Sequence, residues 1–112
     1  MNKSQVLEKP PIWLCKVSEA SEVQPRKLCP KESKEPLAIH RIGEEFFLTE
    51  DTCTHALVSL SDGHIEDGKV YCPLHGGAFD IRTGKPVEFP CTLKLKTYSV
   101  VRDGDDLYGV ID

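Results

Sequence analysis

Apolar residues along this chain fall in short runs, each cut off by glycine, aspartate or proline, and no apolar stripe at helical spacing is long enough for a sizeable helix. The pattern predicts strands at Trp13–Val17, Leu37–Ile42, Phe46–Thr49, Lys69–Tyr71, Ala78–Ile81, Lys94–Val101 and Leu107–Ile111. Between them lie Ile42-Gly43-Glu44-Glu45, Ser61-Asp62-Gly63, Glu66-Asp67-Gly68, Arg82-Thr83-Gly84 and Arg102-Asp103-Gly104-Asp105. Glycine and aspartate there supply the tight backbone that hairpins need. The expectation is an all-β fold of antiparallel sheets. Ser18–Glu22 reads as a single helical turn capped by Ser18. Pro25–Pro36, with three prolines among alternating charges, reads as an edge strand or a solvated loop.

Composition narrows the class. With 112 residues, 39% hydrophobic and 29% charged, the chain has ordinary globular make-up, and one domain spanning residues 1–112 is expected. No linker or internal repeat divides it. The net charge of -4, from 18 acidic and 14 basic residues, is the wrong sign for a nucleic-acid partner. Met1–Pro11 holds no apolar run of the secretory kind, and no stretch of about 20 apolar residues suits a membrane helix. Five cysteines, Cys15, Cys29, Cys53, Cys72 and Cys91, make an odd number that argues against a disulfide framework and for a cytoplasmic address. The acidic run Asp103–Asp106 reads as a solvated turn, with a possible steering role in docking as the testable variant.

The candidate chemistry sits in two segments, Cys53-Thr54-His55 and Cys72-Pro73-Leu74-His75-Gly76-Gly77, with 16 residues between His55 and Cys72. Each follows a predicted strand, so two hairpin loops, about 53–60 and 72–77, can face each other. Thiolates and imidazoles suit an iron-sulfur centre, and the same four residues could also hold a tetrahedral zinc ion. Gly76 and Gly77 allow close backbone approach, with amides free to hydrogen-bond sulfur. Cys15, Cys29 and Cys91 have no ligand-type neighbours in sequence and read as small buried apolar side chains. His40 in a strand and His64 in a turn read as ordinary exposed or hydrogen-bonded histidines.

The spacing resembles the Rieske [2Fe-2S] family, in which each loop gives one cysteine and one histidine. That resemblance implies one cluster, with Cys53 and Cys72 on one iron and His55 and His75 on the other. Leu60-Ser61-Asp62-Gly63, Ala78-Phe79-Asp80 and Arg82-Thr83-Gly84-Lys85-Pro86 extend the likeness to the ferredoxin branch, the small carriers of aromatic-ring-hydroxylating dioxygenase systems. It implies a Rieske-like fold and electron transfer from a flavin-dependent reductase to a terminal Rieske oxygenase. The outer imidazole nitrogens are then the contact with both partners, and the chain itself is not an enzyme. Pro90 falls where the family carries a proline-bearing third loop over the cluster. The high-potential branch joins its ligand loops by a disulfide, where this chain has Val58 and Leu74, and supplies serine and tyrosine hydroxyls, where it has Gly77 and Phe79. Fewer hydrogen-bond donors place the expected potential near the lower end of a range of roughly -150 to +300 mV. The other readings are a Rieske-like small subunit of a nitrite reductase or similar complex, and a zinc-stabilised structural module.

Overall fold

The computed structural model describes residues 10–54, 56–74 and 76–111. Two antiparallel sheets make up these residues. The larger is built from β1 (Ile12–Lys16), β2 (Arg26–Leu28), β3 (Leu37–Ile42) and β4 (Glu45–Glu50). The smaller holds β5 (His64–Glu66), β6 (Lys69–Tyr71), β7 (Ala78–Asp80) and β8 (Pro86–Glu88), and β9 (Thr97–Asp103) and β10 (Asp106–Val110) return the chain to the larger sheet. The larger sheet has the order β1-β10-β9-β4-β3-β2, and the smaller runs β5-β6-β7-β8.

The small sheet is thus an insertion between two neighbouring strands of the large one. β9 pairs with β4 through Thr97 opposite Thr49 and Tyr98 opposite Leu48. Just beyond that pairing, the Glu50 amide donates to the Lys96 carbonyl (3.0 Å) and the Lys96 amide donates to the Glu50 carboxylate (2.8 Å). The entry and exit of the insertion are therefore clamped together. The tight turn between β5 and β6 follows from Asp67-Gly68, both at positive φ (53° and 74°), the Asp-Gly pairing favoured in two-residue hairpins.

Each sheet has its own apolar cluster. Leu14, Cys15, Leu37, Ile39, Leu48 and Leu107 fill the large sheet's core. Leu60, Val70, Phe79, Ile81 and Leu95 gather under the small sheet together with Cys53, Cys72 and Cys91, and Ile42 and Phe47 reach over from the large sheet to pack on them. Arg82 adds a polar tie, with its guanidinium 2.7 Å from Glu45 and 5.1 Å from the centre of the Phe47 ring.

The all-β expectation holds, and the differences are local. Pro25–Pro36 contains the edge strand β2, which pairs only with β3. β5 and β8 add to the expected strands, each with a single apolar residue, Ile65 or Val87, and β8 opening on Pro86, so neither shows an apolar pattern; His64 lies in β5 rather than in a turn. The strand expected from Lys94 begins at Thr97, because Leu95 turns inward to the small sheet's core and its amide bonds Gly84 (2.8 Å). The helical turn is a single 3₁₀ turn, Val17–Glu19, capped at Lys16 rather than Ser18; the Glu19 carboxylate accepts from the Lys16 amide at 2.9 Å. The acidic Asp103–Asp106 turn stands by Glu44, which Arg102 contacts at 2.9 Å. Since Cys53 follows the other end of β4, about 17–20 Å away along a six-residue strand, that turn does not border the thiols.

Candidate metal centre

The chain turns sharply after β4. Thr52 bridges Ser59, the Cys53 amide donates to the Val58 carbonyl (2.9 Å), and the Leu60 amide donates to the Asp51 carbonyl (2.7 Å). These bonds close the first ligand loop into a short hairpin. Asp51 braces its base from inside: the wholly buried carboxylate accepts the Ser61 amide at 2.9 Å, and the Lys27 ammonium lies 4.0 Å away as its charge partner. Between β6 and β7 the second loop is closed in the same way, by the Cys72 amide donating to the Gly77 carbonyl (2.8 Å).

Both loops deliver a buried sulfur to one place. Cys53 and Cys72 are 2% and 4% exposed, and their side chains hydrogen-bond to each other. Burial, then the neighbouring Cys53, push the Cys72 thiol up to about 11, while the Leu74 backbone amide, donating to its sulfur, acts against the rise. His55 and His75, expected as the other two ligands, lie outside the described residues.

A third loop closes over the two thiols. It runs through a cis Phe89-Pro90 peptide, and Thr54 of the first loop donates its hydroxyl to the Leu93 carbonyl at 2.8 Å. Cys91 of this loop is buried and hydrogen-bonds the Cys53 side chain. Burial first, and the charges of Cys53 and Cys72 after it, push the Cys91 thiol up to about 12. A Cβ at Gly77 would overlap the Cys91 sulfur, so glycine there is required for the third loop to sit down. In sequence Cys91 has no ligand-type neighbours and reads as a packing residue; in the fold its neighbours are the two expected ligand cysteines. The one sequence signal for this was its place beside Pro90. Cys15 is buried as expected, its thiol raised by burial, whereas Cys29 is exposed at the end of β2.

His40 takes the hydrogen-bonded alternative rather than the exposed one. It is wholly buried, Nε2 lies 2.9 Å from the Thr49 hydroxyl, and Nδ1 has no partner among the described residues. Thr49 already donates to the Glu50 carbonyl (2.8 Å), so the imidazole carries its proton on Nε2 and donates to the threonine oxygen. Burial pulls its pKa down to about 3.

Residues 12–99 match the family model described as the Rieske [2Fe-2S] domain. The chain belongs to the Rieske family. This Rieske chain is 44% identical over 97 residues to "Ferredoxin CarAc" of Metapseudomonas resinovorans, covering 84% of this chain and 90% of that one. Among solved structures it is similar to the Sphingomonas yanoikuyae B1 ferredoxin, with TM-score 0.87, 31% identity, and coverage of 92% of this chain and 100% of that one. It is similar also to a chain in the complex of reduced oxygenase and oxidized ferredoxin of carbazole 1,9a-dioxygenase, with TM-score 0.81, 36% identity, and coverage of 88% and 91%.

The cofactor of this Rieske domain is a [2Fe-2S] cluster, and the described residues suit one. Two buried sulfurs from separate loops lie side by side, and burial makes the charged form of Cys72 unfavourable until a metal cation stands beside it. A main-chain amide already points at one of them. The positions where the high-potential branch has its loop disulfide and its tyrosine hydroxyl are apolar here: Val58 packs on the small sheet's core, Leu74 is exposed, and Phe79 is wholly buried.

Proposed function

We propose that this chain is a ferredoxin that takes single electrons from a flavin-dependent reductase and passes them to a terminal Rieske oxygenase of the aromatic-ring-hydroxylating type. Cys53 and Cys72 hold one iron and His55 and His75 the other, within a single domain of residues 1–112. When bound, the cluster accepts and releases one electron with no bond made or broken in a substrate. The chain acts as a carrier rather than an enzyme, and reducing cytoplasm suits its five thiols.

The observation that carries this reading is the joint presence, on the same three loops, of buried sulfur and exposed apolar side chains. Leu57 is 95% exposed, Phe89 84% and Leu93 64%, and Leu74 is exposed beside them in sequence to Cys72. Each lies within four residues of Cys53, Cys72 or Cys91. Such side chains in water at the cluster end suit a partner that docks there transiently and excludes solvent. The ferredoxin relatives support the same partner class over a resident subunit of a larger enzyme.

The protein's own contribution to transfer is to keep the sulfur ligands still and dry. Closed loops, the Asp51 brace and the Thr54–Leu93 bond fix them, and the Leu74 amide offsets negative charge at Cys72. With Phe79 unable to donate a hydrogen bond, the potential belongs near the bottom of the Rieske range.

Stopped-flow mixing of the dithionite-reduced protein with an oxidised terminal Rieske oxygenase tests the function. The expected result is single-exponential oxidation of the carrier, slowed about tenfold or more in a Leu57→Ser/Phe89→Ser double variant whose potential is unchanged. Transfer at wild-type rates in that variant would remove the docking surface. No transfer to oxygenases of this class, from protein with its cluster intact, would remove the function.

A further inference from the structure

Cys91 has no part in the ligand set, yet the fold is shaped around its sulfur. It is 5% exposed, its side chain hydrogen-bonds Cys53, and the charge of both Cys53 and Cys72 is felt at it. The second loop ends in Gly77, whose missing Cβ leaves the space that the Cys91 sulfur takes. The third loop cannot easily carry that sulfur away. The Cys91 amide donates to the Glu88 carbonyl (3.1 Å), and two residues on, the Leu93 carbonyl is bound by Thr54 of the first ligand loop (2.8 Å). One side chain therefore touches both cysteine loops from a third segment, itself tied to the first.

A thiol so placed has one hydrogen to give. Once Cys53 and Cys72 are thiolates on iron, they concentrate negative charge beside Cys91, which favours donation from its S–H and disfavours ionisation of a third sulfur. Hydrogen bonds to the sulfurs of such centres tune their potentials, because the reduced state carries more negative charge and gains more from a donor.

We infer that Cys91 is a positioning residue of the cluster, donating its S–H to the Cys53 thiolate, holding that ligand in place and raising the reduction potential above what the main-chain donors alone would give. This rests on the reading of Cys53 as an iron ligand. The thiol keeps its proton throughout, and the electron that enters the cluster comes from the reductase.

The bland account, that Cys91 is a small apolar filler, makes a different forecast. Cys91→Ala keeps the approximate size and removes the donor, whereas Cys91→Ser keeps a donor. In an EPR-monitored redox titration of the cluster-loaded proteins, the alanine variant should have its reduced-to-oxidised ratio at fixed potential lowered about fivefold, which at 59 mV per tenfold is about 40 mV. The serine variant should stay within about twofold of wild type. Wild-type potentials in both variants would overturn the role of Cys91 while leaving the ligand reading intact. Should neither variant retain a cluster, the wild-type infrared difference spectrum between oxidised and reduced protein decides. An S–H stretch that moves to lower frequency on reduction supports the donor, and the absence of any moving S–H band refutes it. Wild-type protein with no iron-sulfur EPR signal on reduction would remove both readings together.

Discussion

The two sheets are made of the same kind of hairpins but are held together by different means. The large sheet has strands of up to seven residues and a core of leucine and isoleucine side chains in continuous contact. The small sheet has four strands of three residues each, and three of the buried residues in its core are cysteines. Strands that short bury little apolar area, so hydrophobic packing alone gives the insertion little stability. What remains is the clamp at Glu50 and Lys96, the packing of Ile42 and Phe47, and the bonds that metal would make to sulfur. The large sheet thus behaves as the platform, and the small sheet as a metal-dependent head whose folding free energy is shared with its cofactor.

The hardest blow to that contrast is a ligand change. Cys53→Ser or Cys72→Ser is expected to abolish the cluster, leaving less than about a tenth of wild-type iron and sulfide per chain. Hydrogen exchange should then show lost protection in β6 and β7 while β3, β4 and β9 keep theirs; equal loss in both sheets would show that the division is wrong. Leu48→Ala probes the other side. A cavity in the large sheet's core should lower global stability by about 2–5 kcal/mol in chemical denaturation, with the reduction potential unmoved. A shifted potential would mean that the platform reaches the cluster electronically.

Gly77→Ala acts at the head alone, since the added methyl meets the anchored Cys91 sulfur. A destabilisation of about 1–3 kcal/mol is expected, read as faster cluster loss on mild heating rather than as a lower melting point for the large sheet. The smallest effect is confined to acid and tests the seam between the regions. His40 is buried and neutral, with its pKa near 3 in the fold against 6.5 unfolded. The unfolded chain therefore binds the proton first, and stability is full above about pH 6.5 and drains away as pH falls toward 3. Between pH 7 and pH 5 this one residue accounts for a loss of about 2 kcal/mol, which His40→Leu should abolish in denaturation measured at the two pH values. Equal pH slopes in the two proteins would contradict the burial argument.

The same contrast explains what could be read in advance. The platform strands were visible because Leu37–Ile42 is a short apolar-rich run and alternation along Leu107–Ile111 reflects one buried face, and because Gly43 and Gly104 mark their turns. The head was visible through its ligand motifs, since Cys-x-His and Cys-x-x-His are local in sequence, and through its two central strands, Lys69–Tyr71 and Ala78–Asp80. β5 and β8 escaped notice because each holds a single apolar residue, Ile65 or Val87, and β8 opens on a proline. Cys91 escaped because its partners lie in two other loops and come together only when the insertion folds back. Of the two alternatives for His40, exposed or hydrogen-bonded, the second holds, and its complete burial was not legible because it depends on what covers β3 from another part of the chain.

The central claim is that two loops supply unlike ligands to the two irons. Pulsed electron-nuclear double resonance on dithionite-reduced protein, with its histidines labelled by nitrogen-15, measures this directly. Two histidine nitrogens coupled to the reduced cluster, and the loss of one of them in each of His55→Cys and His75→Cys, is the predicted result. A cluster signal with no histidine coupling, or folded protein carrying zinc and no sulfide, would contradict it.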